Sequence, residues 1–218
     1  MDNLVILSGG LDSTTLLYLV NSKVPNQTGA ITFNYGQRHK KEIQSAIQTC
    51  SKLDLPVKVV SLETLGELAP SSLTRQEIEV PEGHYQDDNM RLTIVGNRNM
   101  VLLSLAIAYA IGSHYKKVFM GVHSGDHAIY PDCRPEFVQA MRVAAALCDW
   151  KPILVEAPFL NLDKAQIVKI GTGLGVDYSL TWTCYSGREK SCSKCGSCTE
   201  RQEAFSRNGL VDPLEYEE

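Results

Sequence analysis

The sequence predicts an α/β fold: a five-stranded parallel sheet with helices on both faces, followed by a small C-terminal metal-binding segment. Three observations carry that expectation. Short apolar runs rich in Val, Ile and Phe alternate with longer stretches of helical periodicity. Strands separated by helices run parallel, because each return to the sheet needs a crossover, and such sheets are covered on both faces. Four of the seven cysteines crowd between Cys184 and Cys198, outside that alternation.

The elements follow in order. VILS (5–8) is the first strand, and residues 13–20 continue as a helix with Leu16, Leu17 and Val20 on one side. GAITFNYG (29–36) is the second strand, a helix covers about 38–53, and VKVVSL (57–62) is the third strand. Residues 63–93 are rich in Pro, Gly, Asp and Glu with weak periodicity, and are expected as an excursion near the active face. The apolar run 97–111 is a buried helix and KVFMGV (117–122) the fourth strand. A helix over 136–147, the strand PILVEAP (152–158) and a helix beginning over 164–171 complete the alternation.

Composition sets the outer limits. A chain of 218 residues, 44% hydrophobic, buries one good core. A net charge of −4, from 21 basic and 25 acidic residues, offers no general attraction for a nucleic-acid backbone. No apolar run in the sequence reaches membrane-spanning length, and Met1 leads straight into Asp2 and a strand, so neither a span nor a signal peptide is expected. An odd number of cysteines with four close together fits a metal site in a cytoplasmic protein better than a disulfide scaffold.

Ligands of open parallel sheets bind beyond the carboxyl ends of the strands. Polar clusters fall at such ends at 8–13, 34–39 (NYGQRH), 123–134 (HSGDHAIYPDCR) and 161–164 (NLDK), and GNRN (96–99) opens the buried helix. In the first, Gly9 and Gly10 permit a close backbone approach, Ser8 and Ser13 add hydroxyls, and the following helix start favours phosphate. Asp12 would repel a phosphate unless a cation bridges them, which points to Mg²⁺. The competing structural reading is a tight turn with Asp12 as a helix cap. The loop lacks the Gly-Lys-Ser/Thr of a Walker A motif.

Further candidates come from the other clusters. Tyr35 suits stacking on a base; Gln37, Arg38 and His39 follow it, and Arg38 suits phosphate or carboxylate. A cation at a helix N-terminus is unfavourable, so Arg98 implies a nearby anion. Lys164 can neutralise charge on a leaving group. Asp132 can accept from an amidine-like ring edge and Arg134 can pair with a carboxylate. His123, Asp126 and His127 have the composition of a metal site, but Gly125 and Pro131 argue against the helix such spacing needs, which leaves a recognition loop. Cys133 has no base assignable from sequence. At the C-terminal end the spacing Cys184-x7-Cys192-x2-Cys195-x2-Cys198 suits a closed structural zinc site, with iron–sulfur ligation as the alternative.

SGGLDST resembles the pyrophosphate-binding loop of the N-type ATP pyrophosphatases. With FNYGQRH, GNRN, YPDCRPEF, LDKA and CY…CxxCxxC in one order along nearly the whole chain, the sequence is similar to the 7-cyano-7-deazaguanine synthase family of queuosine biosynthesis. That resemblance implies a Rossmann-like, adenine-nucleotide-alpha-hydrolase-like core over 1–178, a zinc-bearing segment over 179–218 and a homodimer. It implies that Ser8, Gly9, Gly10, Leu11, Asp12, Ser13 and Thr14 hold ATP and Mg²⁺, with Asp12, Arg98 and Lys164 at the chemistry. Tyr35, Gln37, Arg38, Arg98, Asp132 and Arg134 would seat the substrate, and Cys184, Cys192, Cys195 and Cys198 would bind Zn²⁺. The implied reaction joins 7-carboxy-7-deazaguanine and ammonia at the expense of ATP. The chain departs from many relatives at Val95-Gly96-Asn97-Arg98-Asn99, where they read Pro-Gly-Arg-Asn, and at 124–129, where they carry Thr-Asp-x-Ser-Gly. Three other readings stand beside it: a ligase using a protein or peptide amine, a tRNA-thiolating pyrophosphatase, and a non-catalytic zinc-knuckle module.

Overall fold

The computed structural model describes residues 1–84 and 88–217; part of the 63–93 excursion, residues 85–87, therefore lies outside the described residues. The strands are β1 (Asn3–Ile6), β2 (Thr28–Asn34), β3 (Val57–Ser61), β4 (Lys117–Phe119) and β5 (Leu154–Glu156). They form one parallel sheet in the order β3-β2-β1-β4-β5. The helices are α1 (Leu11–Lys23), α2 (Lys41–Lys52), α3 (Thr64–Leu68), α4 (Arg98–Gly112), α5 (Pro135–Ala146), α6 (Lys164–Gly173) and α7 (Gly196–Ser206).

Side chains alternate across each strand, so β1 supplies two cores. Leu4 joins Ile31, Val118 and Val155 on the face covered by α4 and α5. Val5 and Ala30 pack on the other face with Leu16, Leu17 and Val20 of α1, Ala46 of α2 and Ile167 of α6. Contrary to the expectation that no run reaches membrane-spanning length, the stretch 88–112 is, by length and composition alone, long and apolar enough to cross a membrane. In the fold, Leu103, Ala106 and Ala110 of α4 are fully buried in the first core.

Several elements differ from expectation at their ends. β1 stops at Ile6 because the Ser8 N–H turns to Ser13 Oγ (3.1 Å). The second helix begins at Lys41 rather than near Arg38, whose N–H instead bonds Leu73 O (2.8 Å) in the excursion. β4 and β5 span only three residues each. β2 and β3 are added on one side of β1 and β4 and β5 on the other, a switch in strand order that opens a crevice at the carboxyl ends of β1 and β4.

α6 starts at the lysine singled out from sequence, and a capping box fixes that start. Asp163 Oδ1 accepts from Gln166 N–H (2.8 Å), Gln166 Oε1 accepts from Asp163 N–H (2.9 Å), and Asp163 Oδ2 meets Arg207 (2.9 Å). Burial alone would raise the Asp163 carboxyl, but the Gln166 N–H and the Arg207 guanidinium outweigh it and hold it below its ordinary value. Asp163→Ala is expected to cost about 1 kcal/mol near neutral pH. A depressed carboxyl contributes fully above its unfolded pKa of about 3.9 and loses that contribution as pH falls through the folded value. Urea melts of wild type and variant should therefore converge in acid; a constant gap would contradict the cap.

Candidate active site

The carboxyl ends of β1, β2 and β4 enclose a cleft of about 210 Å³. At one end, Ser8 and Ser13 close the first loop on itself: their hydroxyls lie 2.9 Å apart, and Ser8 Oγ accepts from Gly10 N–H (3.2 Å). Gly10 is the N-cap of α1 and supplies no side-chain cap, so the helix presents an uncapped N-terminus with Leu11, Asp12 and Ser13 lining the cleft. Gly9, at φ +91°, does not line it. A Cβ there would stand 1.9 Å from Glu42 O, so this glycine lets the loop approach α2.

Asp12 anchors a charge network. Its Oδ2 lies 3.5 Å from Lys164 Nζ and 3.7 Å from His123 Nε2, while Oδ1 is buried without a hydrogen-bond partner. Lys164 is buried and also meets Glu200 Oε2 at 2.5 Å. Burial alone would lower the Lys164 pKa, but the carboxylates of Asp12, Glu200 and Asp126 outweigh it and hold it above the usual lysine range. His123 Nδ1 accepts from Gly125 N–H (3.1 Å), which assigns the proton to Nε2, facing Asp12 and Asp126 (3.6 Å). A Cβ on Gly125 would lie 2.6 Å from Glu200 Oε1, so the glycine admits that carboxylate.

Arg98 and Tyr35 form a second group in the cleft. Arg98 is the first residue of α4, as its position in the sequence suggested. Its Nη1 donates to Tyr35 Oη (3.3 Å), and its guanidinium carbon stands 5.6 Å from the tyrosine ring centroid. Burial would lower the Arg98 pKa, but Tyr35 and Asp132 outweigh it and keep the cation charged. Phe33, Leu73, Leu102 and Met120 give the same cleft apolar walls.

Other expected residues are engaged elsewhere. Gln37 borders the cleft, but its side chain accepts from Tyr35 N–H (2.8 Å) and donates to Phe33 O (3.0 Å), closing its own turn. Arg38 points away and donates to the carbonyls of Ser72 (3.1 Å), Ile78 (3.0 Å) and Gln76 (3.3 Å), clamping the excursion. Asp132 Oδ2 accepts from Asn99 N–H (3.0 Å) and caps α4, and Arg134 Nε donates to His127 O (2.8 Å). Thr14 is buried with its hydroxyl unpartnered, and like Arg38, Asp132 and Arg134 it does not line the cleft. Cys133 does line it, but burial and the nearby carboxylates of Asp126 and Asp132 push its thiol up and keep it protonated.

The C-terminal segment is a wall of this cleft. Trp182 N–H donates to Gly9 O (3.0 Å), and Thr183, Tyr185 and Ser197 line the cavity. Arg201, fully buried, binds both carboxylate oxygens of Asp212 (2.7 and 3.0 Å) and the hydroxyls of Thr181 and Thr183 (2.8 and 2.9 Å), fixing α7. The four Sγ atoms of Cys184, Cys192, Cys195 and Cys198 all lie within 4.8 Å of one another and are buried. A tetrahedral Zn–S distance of about 2.3 Å sets sulfurs a little under about 4 Å apart, so the set, four thiolates within 4.8 Å of one another, needs only small shifts to close on one zinc ion. It is too close-set for a cluster that interposes several irons and sulfides.

Glu200 and His123, which contact the cleft residues Lys164 and Asp12, lie outside the set expected from sequence, as do His39, Glu42, Asp126 and Tyr185 of the cleft lining. Glu200 stands two positions after the last thiolate, which is the signal that could have found it.

Solved structures share the fold: a U34-tRNA thiolase from Methanococcus maripaludis is 17% identical, with a TM-score of 0.51 over 95% of this chain and 67% of that one. An NMN synthetase from Francisella tularensis gives 17% and 0.51 over 96% and 77%. Sequence relatives are much nearer. A 7-cyano-7-deazaguanine synthase of Methanoregula boonei is 57% identical over the full length of both chains. One of Caldicellulosiruptor saccharolyticus is 54% identical over 100% of this chain and 96% of its own. The family model described as "Queuosine biosynthesis protein QueC" matches residues 2–209. The chain therefore belongs to the QueC family of queuosine-biosynthesis proteins.

Proposed function

We propose that this chain is an ATP-dependent C–N ligase that converts 7-carboxy-7-deazaguanine and ammonia to 7-cyano-7-deazaguanine through adenylated intermediates. The observation that carries the reading is one cleft with Asp12, Lys164 and an uncapped helix N-terminus at one end and the Tyr35–Arg98 pair beside it. A carboxylate resists ammonia because its leaving group would be oxide; adenylation supplies AMP instead. The resulting amide is activated the same way, and loss of AMP with the remaining N–H protons leaves the nitrile.

The residues divide this work. The N–H groups at the start of α1, with Ser8 and Ser13, bind phosphate oxygens. Lys164, held by Glu200, opposes the charge that develops on the leaving pyrophosphate, and Arg98 faces the substrate carboxylate. Phe33 and Tyr35 offer flat apolar surface to the bicyclic ring. The unpartnered Oδ1 of Asp12 fits a Mg²⁺ ligand, and Mg²⁺ would neutralise phosphate charge when bound. Gly9 and Thr14 support the loop from behind, and Gln37, Arg38 and Asp132 hold the strand end, the excursion and α4 around the substrate; Arg134 steadies the 123–134 loop. We place the protein in the cytoplasm, where the thiolates stay reduced, and the family reading implies a homodimer. The test is product mass from the acid, ATP and ¹⁵N-ammonium, for which a labelled nitrile is expected and an unlabelled product is contrary.

A further inference from the structure

Glu42 stands apart from the other carboxylates in and beside the cleft. Asp12, Asp126 and Glu200 are engaged with Lys164 or His123. Glu42 lies instead in the first turn of α2, with its Oε2 3.2 Å from Nε2 of His39. The His39 ring is buried, and its other nitrogen, Nδ1, has no hydrogen-bond partner. Both residues line the cleft.

An acidic residue in a first helical turn is ordinary, but a buried histidine set against it is not explained by the helix. The nucleotide and the carboxylate substrate are both anions. A carboxylate facing them is unfavourable unless it meets a cation of its own. Aromatic faces are close at hand: the Tyr185 ring centroid lies 5.9 Å from that of His39, and Tyr35 and Tyr185 both line the cleft. Such faces attract small cations.

We infer that Glu42 and His39, walled by Tyr185, form the binding site for ammonium and take the proton that makes it a nucleophile. The inference rests on the nitrile-synthase reading and adds where its nitrogen enters. One N–H bond of ammonium breaks, the electron pair stays on nitrogen, and the proton passes to the Glu42–His39 pair. The lone pair attacks the acyl carbon of the adenylate, the C–N bond forms, and the C–O bond to AMP breaks with AMP keeping its electrons. The second N–H proton leaves to solvent, giving the amide.

Two nucleophiles separate this role from general damage. Hydroxylamine is uncharged at neutral pH, so it traps the adenylate as a hydroxamate without needing an anionic site or a base. Glu42→Gln should lower the ratio of ammonium-dependent to hydroxylamine-dependent rates at least about tenfold, through a higher KM for ammonium, equivalent to about 1.4 kcal/mol. His39→Gln is the second variant and should move the ratio the same way. A ratio unchanged in both variants, whether or not the overall rate falls, overturns the site. Absence of hydroxamate from the wild type with acid and ATP overturns the synthase reading itself, and the site with it.

Discussion

Asp12→Asn folds like the wild type and loses about 10²–10³ in the rate of AMP formation, a cost of roughly 3–4 kcal/mol in transition-state stabilisation. The amide keeps the shape of the carboxylate, and the side chain is still 22% exposed, so the fold tolerates it. What disappears is charge: Oδ2 faces both Lys164 (3.5 Å) and His123 (3.7 Å), and Oδ1 is the unpartnered oxygen assigned to the cation. Pyrophosphate release and AMP formation with Mg²⁺, alongside a thermal melt, read the two properties separately. A folded variant with near wild-type AMP formation removes Asp12 from the chemistry.

Cys195→Ala has the largest expected effect on stability. Structural zinc contributes apparent binding energies of about 10–16 kcal/mol in isolated fingers, and that energy is folding energy. Here the thiolates also start α7, from which Ser197 reaches the cleft and Glu200 reaches Lys164. Loss of the metal should therefore lower the melting temperature and weaken adenylation together. Elemental analysis should find one zinc per wild-type chain and much less in the variant. Iron with matching sulfide, or a stable metal-free wild type, would contradict the assignment.

The sheet and its order of helices were legible because buried parallel strands are short apolar runs that only crossovers can connect. The places of the first loop and of Arg98 at the cleft were legible for a related reason: glycines and hydroxyls between a strand and a helix leave the helix N-terminus open, and a cation at a helix N-terminus is locally unfavourable. Arg38, Gln37 and Asp132 carried no such signal. Their donors and acceptors match substrate groups and backbone groups equally well, and the backbone was within reach: the carbonyls of Ser72 and Ile78, the N–H of Tyr35, the N–H of Asn99. Glu200 reads in sequence as one more charge on a polar helix. Its role exists only once α7 lies against α6 and brings it to Lys164, a contact 36 residues apart.

The central claim is that this cleft turns a deazapurine carboxylate into a nitrile. Purified protein with ATP, Mg²⁺ and 7-carboxy-7-deazaguanine, with and without ¹⁵N-ammonium, tests it when small molecules are followed by mass spectrometry. The account predicts AMP and pyrophosphate, an amide at early times, and then a nitrile carrying the label. An amide that never dehydrates, or AMP formation with the mass appearing on a protein amine, would contradict the nitrile. Failure of the acid to stimulate any ATP cleavage would contradict the substrate itself.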